Sequence, residues 1–254
     1  MNKSKVEWCD YMWNPITGCW HGCEYCYAEK NANRFSGHSE AYLSKPPHDL
    51  HRALLKYSKD CRRILMATYP FGFDPTFHRY RLNDPQKIKK PQNIFVVGMG
   101  DMFGSWVPDE WIAEVFKACE AAPQHRYMFL TKNPLRYVQL ARYGHLPANE
   151  NFWYGATVTN QVDQTYWSKT LNTFVSNEPM QSRIDTSDWG YAGTTRWLIV
   201  GAETGNRKSK IMPEREWVEE VVNACRERNI PVFLKNNLAE IWGEPLIQEY
   251  PWEV

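Results

Sequence analysis

The sequence predicts an α/β protein on a parallel sheet, organised as a (β/α) barrel. Short apolar, β-rich runs alternate with amphipathic helical stretches along all 254 residues. The runs are apolar throughout rather than alternating, as strands buried on both faces are. One strand–helix–strand unit also occurs twice, and repetition of that unit builds a barrel.

The predicted strands, in order, are Met12–Thr17, Pro75–Arg81, Ile94–Gly98, Tyr127–Thr131, Phe152–Thr157, Thr173–Asn177, Trp197–Gly201 and Pro231–Lys235. In the first copy of the repeated unit, Val96-Val97-Gly98 leads through Pro108 and Trp111 to Phe129-Leu130-Thr131. In the second, Ile199-Val200-Gly201 leads through Pro213 and Trp217 to Phe233-Leu234-Lys235. Each helix opens with a proline and acids, which suit a helix N-terminus. Each then carries one apolar stripe: Trp111, Ile112, Val115, Phe116 and Cys119 in the first, Trp217, Val218, Val221, Val222 and Cys225 in the second. Cys119 and Cys225 therefore read as helix-core residues.

No low-complexity tract divides the chain, so residues 1–254 read as a single domain with a less regular basic insertion at about 37–92. The formal net charge of +1 conceals an asymmetry. Residues 51–90 hold ten Lys/Arg against three Asp, which makes this stretch +7 and the remainder −6. Clustered Lys and Arg suit a phosphate-contacting face as well as an ordinary solvated surface. The longest apolar runs fall far short of the roughly 20 residues of a membrane span. Met1-Asn2-Lys3-Ser4-Lys5 leads into no apolar leader, and the expectation is a cytoplasmic protein that does not engage a membrane. Seven cysteines in a reducing compartment suggest metal or catalysis rather than disulfides.

The chemistry is concentrated in Gly18-Cys19-Trp20-His21-Gly22-Cys23-Glu24-Tyr25-Cys26-Tyr27. The spacing C-x3-C-x2-C lets three thiolates reach one soft metal centre from a single loop. In a four-iron cluster, three ligands leave one iron open, and an open position marks a catalytic site. A zinc site completed by His21 or Cys9 is the alternative, although a zinc ribbon would need a second C-x2-C pair. The seven histidines show no H-E-x-x-H spacing, and there is no Walker A motif, nucleophile elbow or dinucleotide fingerprint.

Cys19-x3-Cys23-x-Tyr25-Cys26 resembles the signature of the radical S-adenosylmethionine (SAM) superfamily. The likeness implies a partial or full (β/α) barrel of the radical SAM type, with Cys19, Cys23 and Cys26 holding a 4Fe-4S cluster that binds SAM. It further implies reductive cleavage of SAM, with an external electron donor, to a 5′-deoxyadenosyl radical that abstracts hydrogen from a substrate. Further segments are similar to a phage-associated radical SAM family of largely unknown function: Trp13-Asn14-Pro15-Ile16-Thr17-Gly18-Cys19, Gly98-Met99-Gly100-Asp101-Met102-Phe103, Leu130-Thr131-Lys132, Glu178-Pro179, Val200-Gly201-Ala202-Glu203 and Phe233-Leu234-Lys235. Lys235-Asn236-Asn237 departs from the Lys-Gln-Trp-Gly expected in many relatives.

On this resemblance Tyr25, Gly98, Gly100, Asp101, Thr131, Lys132, Thr157 and Glu203 are expected to contact the cofactor, and Arg34, Glu178 and Lys235 to serve catalysis or substrate. Most of them end predicted strands, where barrel enzymes place their functional residues. The expected substrate is a nucleotide or a nucleic-acid base, suggested by the basic stretch, by the family likeness and by 12 Trp among abundant aromatics that can stack bases. Radical modification of a peptide or small metabolite, and a zinc-containing nucleic-acid-binding protein without catalysis, remain open beside it.

Overall fold

The computed structural model describes residues 1–37, 45–186 and 195–253. The part of the basic insertion at 38–44 lies outside the described residues. The protein is a mixed α/β chain in two compact units: Met1–Ser4 with Cys9–Tyr127, and Lys5–Trp8 with Met128–Val254.

The first unit carries β1 (Asn2–Lys3), β2 (Tyr11–Trp13), β3 (Ile16–Thr17), α1 (Tyr27–Arg34), β4 (His48–Leu50), β5 (Leu55–Tyr57), β6 (Ile64–Met66), β7 (Thr76–His78), β8 (Asn93–Val96) and α2 (Asp109–Glu120). β2 pairs parallel with β8 and antiparallel with β1. β3, β7 and β4 form a small sheet of their own, and β5 and β6 a hairpin. The predicted strand Met12–Thr17 is thus two strands. Asn14 and Pro15 interrupt it, since proline has no N–H to donate to a ladder. The interruption is used: Asn14 Oδ1 accepts from Met99 N at 3.0 Å and Trp13 O accepts from Val97 N at 2.7 Å. β8 stops short of Gly98 because Val97 has φ +61, a conformation outside the strand region and strained for a β-branched residue. The predicted strand Pro75–Arg81 gives way after His78 to a 3-10 turn over Arg79–Arg81.

The chain passes into the second unit within β9 (Arg126–Thr131), followed by α3 (Leu135–Arg142), β10 (Phe152–Thr157), β11 (Asn172–Asn177), β12 (Thr195–Val200), α4 (Arg215–Arg226), β13 (Val232–Leu234) and a last short helix, α5 (Ala239–Trp242). Strand order follows the chain from β9 to β13, and β10 to β13 are parallel. Among the described residues the strand order does not close on itself.

Both copies of the repeated unit form as expected. α2 and α4 each span 12 residues and bury the predicted stripe, with Cys119 and Cys225 inside; only Trp217 stays half-buried. Much of the tryptophan content is core. Trp197 is fully buried, with Trp8, Phe174, Phe233, Tyr250 and Trp252 around it at ring separations of 5.3 to 6.3 Å. Such pairs add packing energy beyond the area they bury. No helix among the described residues is long and apolar enough to cross a membrane.

Candidate functional site

The cysteine loop runs from the end of β3 to the start of α1. Gly18 opens it at φ +88, where a Cβ would lie 2.3 Å from the Asp74 carbonyl oxygen; only glycine fits this turn. Gly18 N donates to Met99 O at 2.9 Å, and Gly18 pairs with Gly100 in a parallel bridge. A Cβ on Gly100 would meet the Gly18 carbonyl oxygen at 2.7 Å. Gly98 packs as closely against Met12, and its carbonyl accepts from Tyr27 Oη at 2.7 Å. The two glycines expected near cofactor thus hold the cysteine loop against the end of β8.

Within the loop, Cys19 N donates to Phe73 O at 3.1 Å and Cys26 N to Cys23 O at 3.0 Å. Cys26 is the N-cap of α1: its sulfur accepts from Glu29 N at 3.3 Å. The sulfur of Cys19 accepts from His21 N at 3.5 Å. Burial pushes the Cys19 thiol up to about 12; the hydrogen bond from His21 opposes this, and Asp101, Cys23 and Cys26 add to it through their negative charge. Burial likewise raises Cys26, against hydrogen bonds from Glu29 and Ala28.

From the sequence His21 reads only as a candidate zinc ligand. Its Nε2 instead lies 2.8 Å from Oδ2 of the buried Asp101, whose Oδ1 accepts from Phe103 N at 2.9 Å. The His21 ring meets the edge of Trp106 at 4.9 Å, and Trp20 lies 5.7 Å from the same indole. Tyr25 is half-buried in the loop. Arg34 is not brought to it: it sits exposed in the last turn of α1, with its guanidinium over the Phe35 ring.

The remaining candidates belong to the second unit and close its strands. Thr131 is buried and accepts from Asn133 N at 2.9 Å; Lys132 beside it is half-buried, and Thr157 is buried at the end of β10. Lys235 is buried just past β13 and bonds Glu178, while Glu7 Oε2 lies 3.5 Å away. Burial works against its charge, but the two carboxylates outweigh this and raise its pKa. Glu203 is buried in a bidentate pair with Arg207 at 2.9 and 2.7 Å, which holds its carboxyl below the usual range. Asn237, in the segment that departs from the family pattern, clamps Ala202 through both its N–H and C=O at 3.1 and 2.8 Å. Glu7 carried no local signal, being 228 positions from its lysine.

Among the described residues no three His, Cys, Asp or Glu side chains are placed to hold one metal ion. A four-iron cluster makes a different demand, since each thiolate binds its own iron. The three cysteines fit that demand: they lie within eight residues of one loop, and each is only partly exposed. The Cys19 and Cys26 thiols, costly to ionise alone, become thiolates when they coordinate a cationic centre.

Fold and site together define an α/β protein with a three-cysteine loop at the head of its first helix. The chain belongs to the family described as protein of unknown function (DUF5131), whose profile matches residues 3–246. Among solved structures it is similar to spore photoproduct lyase complexed with dinucleoside spore photoproduct. That likeness has TM-score 0.49 and 12% identity, over 95% of this chain and 76% of that one. A cysteine-to-alanine mutant of that lyase with the same dinucleoside gives TM-score 0.48 and 11% identity over the same shares. No curated protein matches the chain.

Proposed function

We propose that this chain is a radical SAM enzyme of the cytoplasm, on a partial (β/α) barrel, acting on a nucleotide or a nucleic-acid base. The observation that supports it is the loop itself: three partly exposed cysteines within eight residues, on a backbone that requires glycine at position 18. When bound through Cys19, Cys23 and Cys26, a 4Fe-4S cluster with SAM, fed by an external electron donor, supplies a 5′-deoxyadenosyl radical able to take a hydrogen atom.

The chain's own residues hold and shield that chemistry. Gly18 and Gly100 fix the loop by backbone contacts too close for any side chain, and the Gly98 carbonyl accepts from Tyr27 Oη at the head of α1. His21 bonds Asp101 and meets the edge of the Trp106 ring. Asp101 accepts hydrogen bonds and is a candidate partner for the SAM ammonium, with Tyr25 beside the cofactor. In the second unit Thr131, Lys132, Thr157 and Glu203 are cofactor candidates, and Glu178 and Lys235 substrate candidates. Arg34 is kept for substrate at the outer end of α1.

The test is SAM cleavage after anaerobic reconstitution with iron and sulfide. Cys19→Ala, Cys23→Ala and Cys26→Ala each abolish 5′-deoxyadenosine formation, whereas Cys119→Ala and Cys225→Ala retain it and lower only stability. Deoxyadenosine formation that persists in the triple Cys19/Cys23/Cys26 variant contradicts the assignment.

A further inference from the structure

The +7 stretch at 51–90 is not one surface. Arg79 is engaged by Asp49 and Glu114, Lys87 by Asp84, and Arg81 by the carbonyls of Asn14 and Thr68. Arg79 and Arg81 tie separate segments of the first unit to one another. Lys59, Arg62 and Arg63 are exposed and, like Lys89 and Lys90 outside the hairpin, enter no ion pair among the described residues. All three lie in the turn of the β5–β6 hairpin.

That hairpin is unusual for its side chains. Its antiparallel register pairs Leu55 with Met66 and Tyr57 with Ile64, which puts these four on one face. They are 50%, 52%, 64% and 63% exposed. The opposite face carries Lys56 and Leu65, and Lys56 Nζ donates to Phe35 O at 2.7 Å, so this face is tied to the end of α1. The turn is stiff. Ser58 N donates to Arg63 O at 2.7 Å, Arg63 N to Ser58 Oγ at 2.9 Å, and Cys61 N to Ser58 O at 2.8 Å. The same helix begins at Cys26, so its two ends set the hairpin anchor about 14 Å along the axis from the cysteine loop.

We propose that the β5–β6 hairpin is a nucleic-acid contact element, in which Tyr57, Ile64 and Met66 pack against bases and Lys59, Arg62 and Arg63 neutralise phosphates. The inference rests on the reading of the substrate as a nucleic-acid base. Aromatic and aliphatic side chains that stack on or wedge between bases, flanked by cations that track the backbone, are how such surfaces bind. The apolar face is four side chains, against the 20–30 residues a side of a stable protein–protein interface, which disfavours a second copy of this chain as its occupant. The turn cations complement a polyanion.

The experiment measures binding of the full chain to a fluorescein-labelled 20-nucleotide single strand, as DNA and as RNA, and to anionic phosphatidylserine vesicles, across salt concentrations. The wild type binds at least one polynucleotide, with affinity falling as salt rises. Lys59→Ala/Arg62→Ala/Arg63→Ala reduces the log–log salt slope by about 2. Tyr57→Ala/Ile64→Ala weakens binding about tenfold or more and leaves the slope unchanged. As a readout needing no variant, the polynucleotide protects the exposed Cys61 in the turn from alkylation. Absence of polynucleotide binding, binding untouched by both variants, or protection of Cys61 by vesicles alone overturns the proposal. The two readings fail separately. Loss of SAM cleavage with hairpin-dependent binding intact sinks the enzyme reading, and intact cleavage with hairpin-independent binding sinks the hairpin.

Discussion

Gly18 shows how a single residue commits the site. Its φ of +88 and its 2.3 Å approach to the Asp74 carbonyl would not tolerate a side chain. Gly18→Ala is therefore expected to lower unfolding stability by about 1–3 kcal/mol and to cut iron incorporation with it. Denaturant midpoints together with iron content check this, and a midpoint equal to the wild type contradicts it. At this scale the sequence was legible where residues are close together. The cysteine triad is announced by spacing within eight positions, and Gly18 and Gly22 by the turns that such a loop needs. The His21–Asp101 contact joins positions 80 apart, and the Lys235–Glu178–Glu7 group spans 228, so no local pattern points to either. Gly98 and Gly100, expected on the family resemblance to contact the cofactor, lie close to Met12 and to the Gly18 backbone.

At the level of elements, buried strands and striped helices were readable because burial imposes apolar runs and a 3.6-residue period. Phe152–Thr157 has the boundaries its sequence predicts, and α2 and α4 bury the expected side chains. Asn2–Lys3, His48–Leu50, Leu55–Tyr57 and Ile64–Met66 were not readable. They are two or three residues long, and the hairpin leaves its apolar side chains outside, so no burial pattern marks them. One tie between elements carries a pH dependence. Arg226, the last residue of α4, makes a bidentate pair with Glu249 at 2.8 and 2.7 Å, and Glu249 also accepts from Val232 N at the start of β13. The Arg226 hydrogen bonds hold the Glu249 carboxyl below its ordinary 4.5. A carboxyl depressed in the folded state contributes stability fully above its unfolded value, and loses it as pH falls through the folded one. Arg226→Gln should thus be less stable than the wild type at pH 7, by no more than about 1 kcal/mol for so exposed a pair. The difference should shrink as the pH drops below 4.5. Thermal melts of both proteins from pH 7 to 3 test this, and a difference that widens on acidification contradicts it.

Over the whole molecule, the near-zero net charge averages a basic stretch against an acidic remainder, and within that stretch Arg79 and Lys87 are ion-paired while the cations of the hairpin turn are exposed and unpaired among the described residues. Part of the high tryptophan content is core packing: Trp8, Trp13, Trp111, Trp153 and Trp197 are buried, and Trp8 and Trp252 pack on Trp197. Aromatic abundance therefore supports a nucleic-acid substrate less than the few exposed rings do, Tyr57 among them. Neither composition nor topology identifies the reaction; the metal that the three-cysteine loop takes decides between the proposed radical enzyme and a structural zinc protein. The direct measurement is metal content and visible absorption after anaerobic reconstitution of the full chain with iron, sulfide and zinc offered together. A radical SAM enzyme gives a brown protein with about four irons per chain, lost in the Cys19/Cys23/Cys26 variant. A colourless protein holding one zinc and no iron contradicts the proposed function.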